Sequence, residues 1–345
     1  MSRPIRIGIN GYGRIGRCIL RALYESPLKD RFHLVGINEP SDLATMAYLT
    51  KFDSTHGIFP GHIEEGKDSL IINGQEVYVD HTTGPEEMDW DRWQLDMLLE
   101  CSGKYSHRND LERFTSMGCQ KVLVSQPANS AYDVDRTIVY GINEQDLTGQ
   151  ESLVSNASCT TNAVVPILSL LNQKYGIEHA FLTTLHSVMN DQPLIDGYHH
   201  SDLRRTRSAM QSIVPVSTGL AQGIERLLPE LMYKVQAKAI RVPILNVSAI
   251  DLMLTLKQGV DTDELNAFLM EAANQRPGLL AYSDNPHASI DFNHNSHSAI
   301  IDGSQTRTNG GGFVNVFIWF DNEWGFANRM LDVAAAWGKK FVPGQ

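Results

Sequence analysis

The order strand, glycine loop, helix, strand, acid near the start of the chain constrains its fold more than any other feature. Ile5 to Asn10 is a short β-type run, Ile-Arg-Ile-Gly-Ile-Asn. It enters Gly11-Tyr12-Gly13-Arg14-Ile15-Gly16, a G-x-G-x-x-G, and apolar residues at helical spacing follow through Ile15, Ile19, Leu20 and Leu23. A second β-type run, Phe32 to Asn38, ends at Glu39. A glycine pattern alone carries little weight. With a strand before it, a helix after it and an acid about twenty residues on, it predicts a dinucleotide-binding unit. The glycines permit a tight turn and a close approach of backbone to pyrophosphate, which sits at the helix N-terminus. Gly11, Gly13, Arg14, Ile15 and Gly16 are therefore candidate cofactor contacts. The Glu39 carboxylate suits ribose hydroxyls and repels a 2′-phosphate, so NAD is expected over NADP.

The alternation continues. Ser41 to Leu49 reads as a helix, and Gly61 to Val79, with Asn73-Gly74 as a hairpin turn, reads as an antiparallel excursion. Met97 to Gly103 is a buried-type strand closing on a loop of small residues, Asn109 to Met117 a helix, and Lys121 to Gln126 and Thr137 to Gly141 further strands. Strands alternating with helices imply a parallel sheet covered on both faces. Ligands bind beyond the carboxyl ends of such strands, which makes Ser102, Gly103 and Ser125 either cofactor contacts or ordinary loop residues.

The chemistry centres on Ser155-Asn156-Ala157-Ser158-Cys159-Thr160-Thr161-Asn162. A strand-like segment, Glu151 to Val154, precedes it, and a helical run, Ala163 to Tyr175, follows. Cys159 thus falls where a strand gives way to a helix N-terminus, a place that favours a thiolate. A buried structural cysteine is the alternative, but five polar neighbours do not suit a packed core. We read Cys159 as a nucleophile. The segment Phe181 to His186 is a strand ending in a histidine, which supplies the base if it reaches Cys159. Ser187 to Ser212 is long, polar and without apolar periodicity, and carries Arg204, Arg205 and Arg207. Those arginines suit either anionic ligands or ion pairs with the chain's own carboxylates. Val216-Ser217-Thr218-Gly219 precedes a helical run and resembles an anion-friendly helix start. Val235 to Leu256 is rich in β-branched residues and holds Arg241 between apolar neighbours, where it needs a partner, and an anionic ligand is expected. Strands Ala299 to Ile301 and Phe313 to Phe320 and a terminal helix, Ala327 to Trp337, complete a second, α+β domain.

Composition narrows the function classes. The 345 residues suggest roughly two domains. A net charge of −11 without a long basic run argues against nucleic acid or an anionic membrane as partner. Four cysteines (Cys18, Cys101, Cys119 and Cys159) without a C-x-x-C pair fit a reduced compartment and offer no zinc pattern, so no metal is expected. The chain begins on a strand pattern, with no signal peptide, and no apolar run has membrane-spanning length; a cytoplasmic location is expected.

Taken together, four stretches resemble the phosphorylating glyceraldehyde-3-phosphate dehydrogenase family: Ile9 to Arg17, Ser155 to Asn162, Ala239-Ile240-Arg241-Val242-Pro243 and Asp321-Asn322-Glu323-Trp324-Gly325. The resemblance spans essentially the whole chain. It implies an NAD-binding Rossmann domain over residues 1–157, with helix 326–340 packed back on it. It also implies a catalytic domain over 158–325 with a mostly antiparallel sheet. By the same resemblance Cys159 attacks an aldehyde to give a thiohemiacetal, His186 activates it, and hydride transfer to NAD leaves a thioester. Asn322 would hold the nicotinamide carboxamide; Ser158, Thr160, Arg205, Thr218, Gly219 and Arg241 would line the substrate and anion sites. Members of the family are typically homotetramers acting on small sugar phosphates.

Departures from the glycolytic pattern bear on the substrate. Where glycolytic members carry Thr-Ala-Thr-Gln after the histidine, this chain has Met189-Asn190-Asp191-Gln192. A thioether and a carboxylate cannot donate hydrogen bonds to phosphate, and an ionised Asp191 should repel it. The stretch His186 to Gln192 and Asp291-Phe292-Asn293-His294 look like the erythrose-4-phosphate dehydrogenase branch. That branch oxidises D-erythrose 4-phosphate to 4-phospho-D-erythronate on the route to pyridoxal phosphate and releases the acyl group to water. A longer substrate could place its phosphate toward Arg205 and Arg241. Ala163 stands where the family often has a second cysteine, and His81-Thr82-Thr83-Gly84 lacks the arginine of relatives near the adenine, so weaker NAD binding is one consequence. Two alternatives stand beside this reading: a phosphorylating glyceraldehyde-3-phosphate dehydrogenase, and a non-catalytic NAD-binding sensor, against which the Cys159/His186 pair argues.

Overall fold

A computed structural model describes residues 3–199 and 201–342. They form two units: one runs to Ser158 and resumes at Ala327, and the other is Cys159–Phe326.

The first unit is built on a nine-stranded sheet. Its order is Arg136–Thr137, Leu153–Ser155, Val122–Val124, Met97–Glu100, Ile5–Asn10, Phe32–Asn38, Gln75–Asp80, Ser69–Ile72 and Ile63–Glu65. The first seven strands are parallel, and the last two are added through antiparallel pairings. The central parallel strands are buried on both faces, as in Met97–Glu100, where the apolar run Met97-Leu98-Leu99 ends in a buried Glu100. Asn73 and Gly74 turn the terminal hairpin with φ of 52° and 83°, the left-handed pair that matches strand twist. Strand character expected to Gly141 stops at Thr137; Asn143 instead binds the Thr137 carbonyl and the Val139 N–H and closes a turn. The C-terminal helix, Trp324–Phe341, joins this unit from Ala327 onward. Its Trp337 is fully buried, and Lys121 lies over the Trp337 and Phe341 rings while donating to the Gly149 and Glu151 carbonyls.

The second unit carries a seven-stranded sheet. Its order is Val214–Val216, Val235–Arg241, Ile177–His186, Ser248–Leu256, Phe313–Phe320, Ala299–Thr308 and Leu280–Ser283. Most pairings are antiparallel; only Ile177–His186 with Val235–Arg241, and Leu280–Ser283 with Ala299–Thr308, are parallel. Phe313–Phe320 alternates buried and half-exposed residues, so one face meets the core, and helix Cys159–Tyr175 packs on this sheet. The β-rich stretch from Val235 to Leu256 is two strands separated by a turn, with Arg241 ending the first. The architecture is thus a Rossmann-type α/β unit plus an α+β unit with a mostly antiparallel sheet. No helix among the described residues is long and apolar enough to cross a membrane.

Candidate active site

The glycine loop leaves strand Ile5–Asn10 beside the parallel strand Phe32–Asn38. Gly11 has φ of 87°, and a Cβ there would lie 2.4 Å from the Ser102 backbone. A Cβ on Gly16 would lie 2.3 Å from the Gly11 carbonyl oxygen. Both positions therefore demand glycine. Gly13 caps helix Arg14–Glu25 without any side-chain cap, and a Cβ there would have open space around it. Such a junction suits a phosphate against backbone N–H groups. A cavity of about 220 Å³ opens beside it, lined among others by Gly11, Gly13, Asn38, Glu39, Thr82 and Lys104. Glu39 accepts from the Tyr12 N–H at 2.8 Å and the Ser41 N–H at 3.3 Å, so it fixes the loop as well as facing the cavity. The residues present therefore fit a dinucleotide. Two expected contacts are otherwise engaged: the Arg14 guanidinium pairs with Asp53 at 2.5 Å, and the Ser125 N–H donates to the Glu100 carbonyl at 2.9 Å. Ile15 sits in the first turn of the helix.

In the second unit, Cys159 is the first residue of its helix, four residues before the expected start at Ala163. The helix therefore begins with its polar turn, Cys159 to Asn162. His186 ends strand Ile177–His186, and its Nε2 lies 3.5 Å from Cys159 Sγ. His186 Nδ1 lies 2.8 Å from the Ser187 carbonyl. A carbonyl can only accept, so Nδ1 carries the proton and Nε2 presents a lone pair to the thiol. Thr160 Oγ1 stands 4.0 Å from Sγ. Burial pushes the Cys159 thiol up to about 11, against the pull of Thr160 and of backbone N–H groups. Burial also holds the imidazole below its ordinary value. The helix N-terminus expected to favour a thiolate is thus opposed by burial, and the thiol needs the imidazole to take its proton.

Next to His186 in the sheet is Arg241, its register partner on the parallel strand. Arg241 is buried, and its anionic partner is Asp191, bound through both nitrogens at 2.7 and 3.1 Å. Arg205 meets the same carboxylate at 3.0 Å. Although burial raises it, these guanidiniums hold the Asp191 carboxyl below the ordinary carboxylate range. Met189 Sδ lies 3.5 Å from the Arg241 Nη2. Arg207 pairs with Asp196 at 2.9 Å, so the ion-pair alternative holds for this arginine too.

Thr218 Oγ1 accepts the Leu220 N–H at 3.2 Å, and Gly219 caps helix Leu220–Leu227 without a side-chain bond. That helix packs against helix Cys159–Tyr175. Ser158 closes the first unit just before Cys159. Asn322 is buried, and its Oδ1 receives bonds from Ser187 and Ser248 at 3.1 and 2.8 Å. Cys159, His186, Thr160, Asn322, Arg205 and Arg241 thus belong to one unit, with His186 adjoining Cys159 on one side and Arg241 on another.

Two family models match this chain. Residues 5–108 match the glyceraldehyde 3-phosphate dehydrogenase NAD binding domain, and residues 158–322 match the glyceraldehyde 3-phosphate dehydrogenase C-terminal domain. The chain belongs to the glyceraldehyde-3-phosphate dehydrogenase family. It is an NAD-dependent oxidoreductase of that family, and NAD is its cofactor.

Sequence reasoning missed the residues that hold the functional ones. Ser187 and Ser248 look like any small polar residues until the sheet places them against Asn322. Asn38 and Lys104 carried a signal that could have been used: one ends the second strand and the other follows Gly103, the loop positions where ligands gather in α/β sheets.

Proposed function

We propose that this chain oxidises D-erythrose 4-phosphate to 4-phospho-D-erythronate, with Cys159 as nucleophile and His186 as base. The observation that carries the choice of substrate is Met189, whose sulfur lies 3.5 Å from Arg241 Nη2. By the resemblance drawn above, glycolytic relatives have a threonine hydroxyl there. A thioether offers no O–H to a phosphate, which supports a longer substrate with its phosphate placed differently. Asp191 adds less than expected, because two guanidiniums offset its charge. Those guanidiniums are also committed to it, so a substrate phosphate near Arg205 and Arg241 would share them with Asp191.

The geometry supports the following sequence. His186 Nε2 takes the thiol proton as Cys159 Sγ bonds to the aldehyde carbon and returns it to the former carbonyl oxygen, giving a thiohemiacetal with a neutral imidazole ready to take the hydroxyl proton in the next step. NAD supplies the hydride acceptor for its oxidation. The carbon loses hydride and the hydroxyl loses its proton, leaving a thioester on Cys159. Water then adds to the acyl carbon, the C–S bond breaks, and the carboxylic acid leaves with the thiol restored. Ser158, Thr160, Thr218 and Gly219 are read as lining the substrate and anion sites, and Asn322 as holding the nicotinamide carboxamide. Gly11, Gly13, Ile15, Gly16 and Glu39 are read as the remaining cofactor contacts, and Arg14 and Ser125 as contacts only through atoms outside the Arg14–Asp53 pair and the Ser125 N–H bond.

We read the chain as a cytoplasmic homotetramer whose product lies on the route to pyridoxal phosphate. Oligomerisation is supported by the segment after His186, where Leu194, Ile195, Tyr198, Leu203 and Ile213 are each at least 70% exposed. Apolar side chains gathered in one segment suit a second copy of the chain.

The offset charge of Asp191 favours one second reading, a glyceraldehyde 3-phosphate dehydrogenase in which inorganic phosphate takes the acyl group. NADH formation with each aldehyde phosphate, with and without inorganic phosphate, separates the two. Higher kcat/KM for the four-carbon substrate without a phosphate requirement is the expected result. Strict phosphate dependence with preference for the three-carbon substrate would replace the first reading by the second.

A further inference from the structure

We propose that Ser187 and Ser248 are positioning residues that lock the Asn322 amide with its NH₂ group outward, as a hydrogen-bond donor to the cofactor's carboxamide oxygen. The proposal rests on the reading of Asn322 as the nicotinamide contact. Both serines are fully buried, and both hydroxyls lie on one atom, Asn322 Oδ1, at 3.1 and 2.8 Å. The direction of these bonds agrees with the rest of the network. Ser248 Oγ already accepts the Ser187 N–H at 3.1 Å, so its proton is available to donate to Asn322. A carbonyl oxygen has two acceptor sites, and two hydroxyls fill them. The opposite end of the amide, Nδ2, is then the one presented to a ligand. A flipped amide would turn its nitrogen to the two hydroxyls and present an acceptor instead.

Backbone geometry supports a built arrangement. Ser248 follows Val247, a fully buried β-branched residue with φ of 65°. That region is rarely adopted by such residues and persists only where the surroundings enforce it. Val247 packs with Phe292 and Ile300. The strained residue immediately precedes strand Ser248–Leu256, whose first residue carries the hydroxyl on Asn322. Ser187 also acts through its backbone, because its carbonyl accepts from His186 Nδ1 at 2.8 Å. One residue thus fixes the imidazole tautomer through its backbone and the amide through its side chain. Replacing the side chain leaves the bond to the imidazole intact.

The test compares the binding of NAD with that of ADP-ribose, which lacks the nicotinamide, by titration calorimetry. Ser187→Ala, Ser248→Ala, the double variant and Asn322→Ala are measured beside the wild type. A general structural defect weakens both ligands together. The proposal predicts that the double variant loses about tenfold in NAD affinity, as expected for one lost oriented hydrogen bond, and stays within about twofold for ADP-ribose. Each single variant should fall between. If Asn322→Ala lowers the NAD to ADP-ribose ratio and the serine variants do not, the positioning role is wrong while the reading of Asn322 stands. If Asn322→Ala also leaves the ratio unchanged, the nicotinamide reading fails and takes this proposal with it. Should the double variant not fold, the Ser187→Ala and Ser248→Ala ratios decide alone.

Discussion

Replacing His186 by asparagine isolates the role of the base. The variant keeps a polar group of similar size and removes the lone pair that faces Cys159 Sγ at 3.5 Å. Without that acceptor the thiol must ionise against its burial, which pushes it up to about 11. At about pH 8 roughly one molecule in a thousand then carries a thiolate. The expected loss in kcat/KM is therefore about a thousandfold, or ~4 kcal/mol of barrier, within the range usual for a positioned general base. The loss should shrink as pH rises. Log kcat/KM of the variant is expected to climb with unit slope from neutral pH toward about pH 10, while the wild type, whose imidazole takes the proton, stays flatter. NADH absorbance at saturating NAD measures both. Iodoacetamide alkylation of Cys159 should show the same ordering, with the native protein faster at neutral pH. A loss below about tenfold, or two parallel pH profiles, would show that His186 does not activate the thiol.

Three further outcomes are expected. Met189→Thr returns a hydroxyl to the group beside Arg241, and kcat/KM for glyceraldehyde 3-phosphate should rise about tenfold, the gain typical of one hydrogen bond to a charged ligand; an unchanged ratio between the two aldehyde phosphates would remove Met189 from the specificity argument. Asp191→Asn leaves the buried Arg241 without its carboxylate and should cost about 1–3 kcal/mol of stability by urea unfolding; no loss would mean that the pair is not structural. Burial raises Glu100 from 4.5 to about 7, against the hydrogen bonds of Ser102 and Asn10. A raised folded value gives stability that is present at low pH and lost as pH rises through about 7, so stability should fall by up to about 3 kcal/mol across that window, and Glu100→Gln should flatten it.

The parts of the fold that were legible in the sequence are those set by local chemistry. The glycine loop announces itself because Gly11 and Gly16 tolerate no Cβ, and the Asn73-Gly74 turn because its backbone needs left-handed residues. Cys159 stands out through its polar neighbours. Local signals also existed that went unused: Asp261 accepts the Glu264 N–H and starts helix Thr262–Asn274, an acid-rich start readable from the residues alone. What sequence could not supply were distances between strands. The partner of Arg241 is fifty residues away at Asp191, and the partners of Asn322 are on two other strands or their ends. Cys159 and His186 meet only because the helix beginning at one packs on the strand ending at the other. Those contacts belong to tertiary structure, and no spacing rule contains them.

The most direct test of covalent catalysis by Cys159 is a single-turnover experiment. Protein, NAD and D-erythrose 4-phosphate are mixed rapidly and quenched in acid, with NADH and the mass of the Cys159 peptide read from the same sample. The expected result is a burst of NADH equal to the protein present, matched by an acyl group on Cys159, with neither seen in Cys159→Ser. An NADH burst with Cys159 unmodified, or turnover that survives Cys159→Ser, would contradict the account.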